Sequence, residues 1–164
     1  MYYLLLSVCI LSRLIFSIYY IEDIDSLRFA YSVIDEYNIL KLQPHFPGYA
    51  IFCLITNILY DIIGNMGITF SIIGGISIFF IIYFSLKILD FQIESQEGII
   101  TTLFIFFNPM FWLMSNRYMP DLMGLAFLIA SFYFIIQTKK KHVLIGGILI
   151  GLLIGVRLSY LPFL

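Results

Sequence analysis

Long apolar runs alternate with short polar breaks along this chain. The first run, Tyr2 to Ile21, is interrupted only by Arg13. The most polar stretch follows, from Glu22 to Pro47. Inside it, Asp25 to Tyr37 places Leu27, Ala30, Tyr31, Ile34 and Tyr37 on one helical face and Arg28, Ser32, Asp35 and Glu36 on the other. That spacing predicts an amphipathic helix over 26–38, too polar to span a membrane and suited to its interface. Gln43-Pro-His-Phe-Pro-Gly48 breaks it. The next apolar run, 49–63, is about 15 residues, or about 22 Å of helix, which is short for a hydrocarbon core of about 30 Å. It reads as a second, deeper interfacial helix. Later runs predict spans at 68–89, 98–114, 121–136 and 143–161, with a kink expected at Asn108-Pro109. The first span is 2–21, and 22–67 is its connecting loop.

Composition turns these runs into a class. Of 164 residues, 62% are hydrophobic and only 12% charged, against about 45–50% apolar and 25% charged in a soluble domain. A chain this short cannot hide that much apolar surface from water. The expected fold is therefore all-α: a polytopic membrane protein with about five transmembrane helices and two juxtamembrane helices in the first outer loop, forming one transmembrane domain over 1–164. Nine Lys plus Arg against ten Asp plus Glu leave a net charge of −1. No basic field exists to attract nucleic acid, which is excluded as a partner. Membrane lipid is the expected surrounding. Cys9 and Cys53 lie in apolar runs and read as small buried hydrophobes.

Orientation follows from Lys139-Lys-Lys141, which the positive-inside rule assigns to the cytoplasm. Alternation puts 115–120 outside and 90–97 inside, with the N-terminus cytoplasmic if 49–63 does not span. Glu22, Asp23, Asp25, Arg28, His45, Asp61, Arg117 and Asp121 then share the outer side. Charges at a membrane edge are costly and mark sites or specific partners. Asp25 is either the N-cap of the amphipathic helix or a carboxylate able to take a proton from an acceptor hydroxyl. Asp121, opening a span, has the same two readings. Arg117 either pairs with Asp121, one turn on, or grips a lipid phosphate through its planar fork. Arg28 is a solvated face residue or a phosphate contact. His45, between prolines, is a loop histidine or a donor to a leaving group. Arg13 and Arg157 fall inside predicted spans, and Arg13 must find a carboxylate or a phosphate or draw water inward. Gly147, Gly151 and Gly155 form a small-residue stripe suited to helix packing. No ligand set for a divalent metal stands out, and no Walker, Gly-x-Ser-x-Gly or paired-Cys motif occurs.

The order of these features resembles the integral-membrane glycosyltransferases of the C-type fold, the group containing protein O-mannosyltransferases and aminoarabinose transferases. The pieces are Ile21-Glu-Asp-Ile-Asp25-Ser-Leu-Arg-Phe-Ala30, Pro44-His-Phe-Pro-Gly-Tyr-Ala50, Asn108-Pro through Arg117 to Asp121, and Gly155-Val-Arg-Leu-Ser-Tyr-Leu-Pro162. The resemblance implies transfer of a sugar from a polyprenyl-phosphate donor to an acceptor (lipid, glycan or protein) at the outer face, with inversion. It implies Asp25 as catalytic base, with Asp23 a competitor two residues away, and Asp121 as the second acidic residue. Arg28, His45, Tyr49 and Arg117 are the corresponding substrate-binding candidates. Where some members carry a phosphate-binding lysine, Phe46 stands here. Members are commonly several hundred residues long, so the chain reads as an N-terminal portion of an enzyme in a microbial cytoplasmic membrane. A transporter or channel subunit, or a non-catalytic membrane scaffold, is the alternative.

Overall fold

The computed structural model describes residues 1–163. It is all-helical, with a lone antiparallel bridge between Asn38 and Gln43 as the only β pairing among the described residues.

Helix α1 covers Tyr2–Ile15 and stops six residues short of the expected Ile21. The reason is tertiary. The Tyr118 hydroxyl donates to the Ile18 carbonyl at 2.7 Å, and Gly67, lacking a side chain, admits that same carbonyl. A helical hydrogen bond is exchanged for one to a distant loop. Helix α2 spans Ile24–Ile34 rather than 26–38. Its N-cap is Asp23, whose Oδ1 accepts from the Ser26 amide at 2.7 Å, so the capping reading of Asp25 is displaced by two residues. Its end is set by Asn38, whose side chain accepts from the Leu40 and Lys41 amides and starts a 3-10 turn, Ile39–Lys41. The buried face of α2 also differs from the expected one. Phe29, Ala30, Val33 and Ser32 face inward, while Tyr31 and Ile34 are exposed.

Helix α3, Ala50–Ile63, matches the expected 49–63 and ends at Gly64 with φ 70°. Helix α4, Met66–Leu89, is capped by the Asn65 side chain at 3.1 Å from the Ile68 amide. At 24 residues it is the one helix among the described residues long and apolar enough to cross a membrane. The predicted span over 98–114 is two helices, α5 (Gln96–Phe106) and α6 (Pro109–Met114). Asn108 accepts from the Met110 and Phe111 amides and restarts the helix after the break. Helix α7 runs Asp121–Ile135 and α8 runs Lys140–Val156, the latter starting before 143 and ending before 161. A 3-10 segment, Leu158–Phe163, follows.

Helix α4 is central and packs against α1, α3, α5 and α7, and α7 lies along α8. Two apolar clusters result. Cys9, Ile78, Ile82, Leu86 and Phe106 fill one; Phe29, Phe52, Cys53, Phe70 and Val156 fill the other. Gly74 permits the closest approach, since a Cβ there would meet the Ser115 carbonyl oxygen at 1.7 Å. Of the glycine stripe on α8, only Gly155 is used within the chain, against Ile51; Gly147 and Gly151 face open space.

Arg13 is fully buried, yet its partners are neither carboxylate nor phosphate. Its guanidinium donates to Ser115 Oγ at 3.1 Å, Ser12 Oγ at 3.0 Å and the Phe106 carbonyl at 3.2 Å. It lies 4.5 Å and 4.1 Å from the ring centroids of Phe106 and Trp112. The break at Asn108-Pro109 supplies this cage. It frees carbonyls at the C-terminus of α5, where the helix dipole favours a cation.

Candidate functional site

The N-terminal ends of α2, α3 and α7 and the C-terminal end of α8 hold most of the polar side chains singled out from the sequence. They divide into two groups.

The first group is committed to structure. Arg117 does not pair with Asp121. Its Nε lies 2.6 Å from Glu22 Oε2, and its Nη2 pairs with Asp23 Oδ2. Asp23 thus spends one carboxylate oxygen on the α2 cap and the other on Arg117, tying the first polar loop to the 115–120 loop. Both of its carboxylate oxygens are thereby engaged.

The second group is a continuous strip. Arg28 Nη1 donates to Asp25 Oδ1 at 3.3 Å. The same oxygen lies 3.6 Å from His45 Nδ1. His45 Nε2 lies 3.2 Å from the Tyr49 hydroxyl. The Arg157 guanidinium lies 5.9 Å from the Tyr49 ring centroid, and its Nη2 is 2.9 Å from Asp121 Oδ1. The Tyr160 hydroxyl donates to the Asp121 carbonyl at 3.2 Å. Asp25 and Asp121, in the first turns of α2 and α7, are therefore linked through His45, Tyr49 and Arg157. Asp61, at the far end of α3, is exposed and outside this strip.

Local backbone places the central members. Gly48 (φ 98°) is followed by Tyr49 (φ 47°), so the chain reverses sharply into α3. A left-handed conformation is rare for an aromatic residue and persists only where the surroundings over-determine it. Here they do: the Tyr49 ring meets Phe29 edge-on at 5.0 Å and His45 at 5.3 Å. Burial pushes the Tyr49 phenol above its ordinary pKa, with Arg157 pulling it back down. At neutral pH it is a hydroxyl able to donate or accept.

Polar capacity in the strip is unfilled. Asp121 Oδ2 and His45 Nδ1 are buried without a hydrogen-bond partner among the described residues. Asp25, by contrast, is 44% exposed at its side chain and open to a substrate. No group of three or more His, Cys, Asp or Glu is placed to hold a metal ion among the described residues.

An apolar groove of about 420 Å³ lies among α3, α4, α7 and α8, and none of its lining residues belongs to the strip. It is lined by Ile55 and Leu59 of α3, Met123 and Phe127 of α7, and Ile145 and Leu149 of α8, with α4 as its floor. Three of the four lining helices also carry strip residues at one end: Tyr49 before α3, Asp121 in α7 and Arg157 after α8. In the sequence Arg157 falls inside the predicted last span, about two-thirds of the way towards its outer end, and is not among the expected site residues. The signal was the following Leu-Ser-Tyr-Leu-Pro162, whose Ser, Tyr and Pro foretell a helix end near it. No family model, curated protein or solved structure matches this chain.

Proposed function

We propose that this chain forms the donor-binding front of a polytopic membrane glycosyltransferase that takes a sugar from a polyprenyl-phosphate donor at the outer face. One observation carries the reading: the polar strip includes Tyr49, Asp121 and Arg157 at the ends of α3, α7 and α8, and the same three helices line an apolar groove further along their length. An amphiphile with an anionic head and a long hydrocarbon tail matches that pairing of surfaces. In the proposed reaction, Asp25 takes the proton of the acceptor hydroxyl. The acceptor oxygen attacks the anomeric carbon as the bond to the phosphate oxygen breaks. The electron pair leaves with polyprenyl phosphate, and cationic groups of the strip stabilise it. Arg28 donates to the Asp25 carboxylate and His45 Nδ1 lies 3.6 Å from the same oxygen, while the Asp25 side chain stays 44% exposed.

Reconstituted protein supplied with a radiolabelled polyprenyl-phosphoryl sugar tests this reading. Transfer to lipid, glycan or protein acceptors, lost on Asp25→Asn, is expected. No transfer from any such donor in the presence of mixed membrane acceptors counts against it. A cysteine placed beside His45 tests the side: labelling from the outside of intact cells is expected, and labelling only after permeabilisation contradicts an outward site.

A further inference from the structure

We infer that Arg157 is the phosphate-binding residue of this strip, and that Asp121 positions it; the inference rests on the lipid-phosphate reading above. The arginines of the strip and its surroundings are not equivalent. Arg13 is sealed inside the α5–α6 break. Arg117 is taken by two carboxylates, Glu22 and Asp23. Arg28, like Arg157, pairs with one carboxylate, here Asp25, the proposed base, but it sits on α2, which does not line the groove. Arg157 alone follows a helix that lines the apolar groove. Its α8 neighbours Leu149 and Ile145 lie two and more turns down the same helix, along the groove wall.

Its bonds leave one edge of the fork free. Nε donates to Ser159 Oγ at 3.1 Å and Nη2 meets Asp121 Oδ1 at 2.9 Å. Nη1 has no hydrogen-bond partner among the described residues. The side chain is 26% exposed. A guanidinium held at two nitrogens loses little rotamer freedom on binding, and its remaining edge offers a charge-assisted hydrogen bond to a phosphate oxygen. The adjoining Asp121 Oδ2, buried and without a donor, is a further sign that a hydrogen-bonding group belongs beside Arg157. In this arrangement Asp121 acts through Arg157 and is a positioning residue.

The test measures binding of decaprenyl phosphate, decaprenol and inorganic phosphate to the purified chain in phosphatidylcholine nanodiscs. The wild-type chain is expected to bind decaprenyl phosphate at least tenfold more tightly than decaprenol. Inorganic phosphate is expected to compete only at far higher concentration; competition at equal concentration overturns the lipid part of the assignment. Arg157→Gln is expected to weaken decaprenyl phosphate binding by about 10–100-fold, the range of a hydrogen bond to a charged group, and to leave decaprenol unchanged. Phenylglyoxal modification of the wild-type chain, read by mass spectrometry, needs no variant to fold: decaprenyl phosphate is expected to protect Arg157, and decaprenol is not. If wild type fails to discriminate phosphate from alcohol, the lipid-phosphate reading itself falls. If it discriminates while Arg157 is neither protected nor required, the assignment of Arg157 is overturned and the broader reading stands.

Discussion

Arg13 donates to the carbonyl of Phe106 at 3.2 Å, bridging the first helix to the end of the fifth across 93 residues. No carboxylate among the described residues neutralises this buried cation. A helix C-terminus, two hydroxyls and two aromatic faces share the task. Arg13→Leu leaves the Phe106 carbonyl and its hydroxyl neighbours without their donor. A loss of about 1–3 kcal/mol is expected, read as a lower apparent melting temperature in nanodiscs. An unchanged melting curve would show that the cage carries no weight.

Asp23 and Asp25 separate by experiment. Asp25→Asn is expected to lower turnover by about 10²–10⁴-fold, the worth of a general base, with little effect on melting. Asp23→Asn keeps a capping oxygen but removes the charge opposite Arg117, so its effect is expected mainly on stability, by up to about 1 kcal/mol for a partly exposed pair. The reverse pattern, with Asp23 controlling kcat and Asp25 controlling melting, would exchange their roles.

Two glycines make a matched pair. Gly74→Ala drives a methyl group into the Ser115 carbonyl, and a cost at or above the upper end of about 1–3 kcal/mol is expected for overpacking against backbone. Gly147→Ala meets nothing within 4 Å and gains helix propensity of up to about 1 kcal/mol. Thermal unfolding of the two variants should move in opposite directions. A destabilising Gly147→Ala would reveal a neighbour on that face.

The exposed pair Glu36 and Lys41 gives a pH window. Its hydrogen bond with Lys41 lowers the Glu36 pKa below 4.5, and the same bond raises Lys41 above 10.5. The carboxylate contribution is present above its unfolded pKa and fades as pH falls through the lowered folded value. The lysine contribution is present below its unfolded pKa and fades as pH rises through the raised folded value. Lys41→Gln should therefore melt slightly lower than wild type between these limits and converge with it below Glu36 titration. Both groups are exposed, so added salt should shrink the difference. A salt-independent gap would mean that packing, not charge, is responsible.

Much of the helix order was legible in the sequence because apolar runs and their breakers are local. Asn65, Ser95 and Asn108 announce helix starts, and Asn108-Pro109 announces the break between α5 and α6. The polar partners were less legible. Arg117 stands one turn from Asp121, and spacing pairs them, yet the fold gives Arg117 to Glu22 and Asp23 and gives Asp121 to Arg157. Helical periodicity likewise placed Tyr31 and Ile34 of α2 on its apolar face but could not show that Phe29 and Val33 are the residues buried against α3. Those choices depend on which surfaces meet, and α1 ends at Ile15 for the same reason.

The double engagement of Asp23 has a consequence for the order in which the protein is made. Its partner Arg117 lies 94 residues later in the chain. At about 5–20 residues per second, the ribosome delivers that cation on the order of 5–20 s after the aspartate. During this interval Glu22 and Asp23 stand without their counter-charge, and the first polar stretch is held by local contacts such as its cap, the Arg28–Asp25 pair and the Lys41–Glu36 pair. Helix α2, which carries Asp25, therefore reaches its final seat only after four more helices, α3 to α6, have been synthesised.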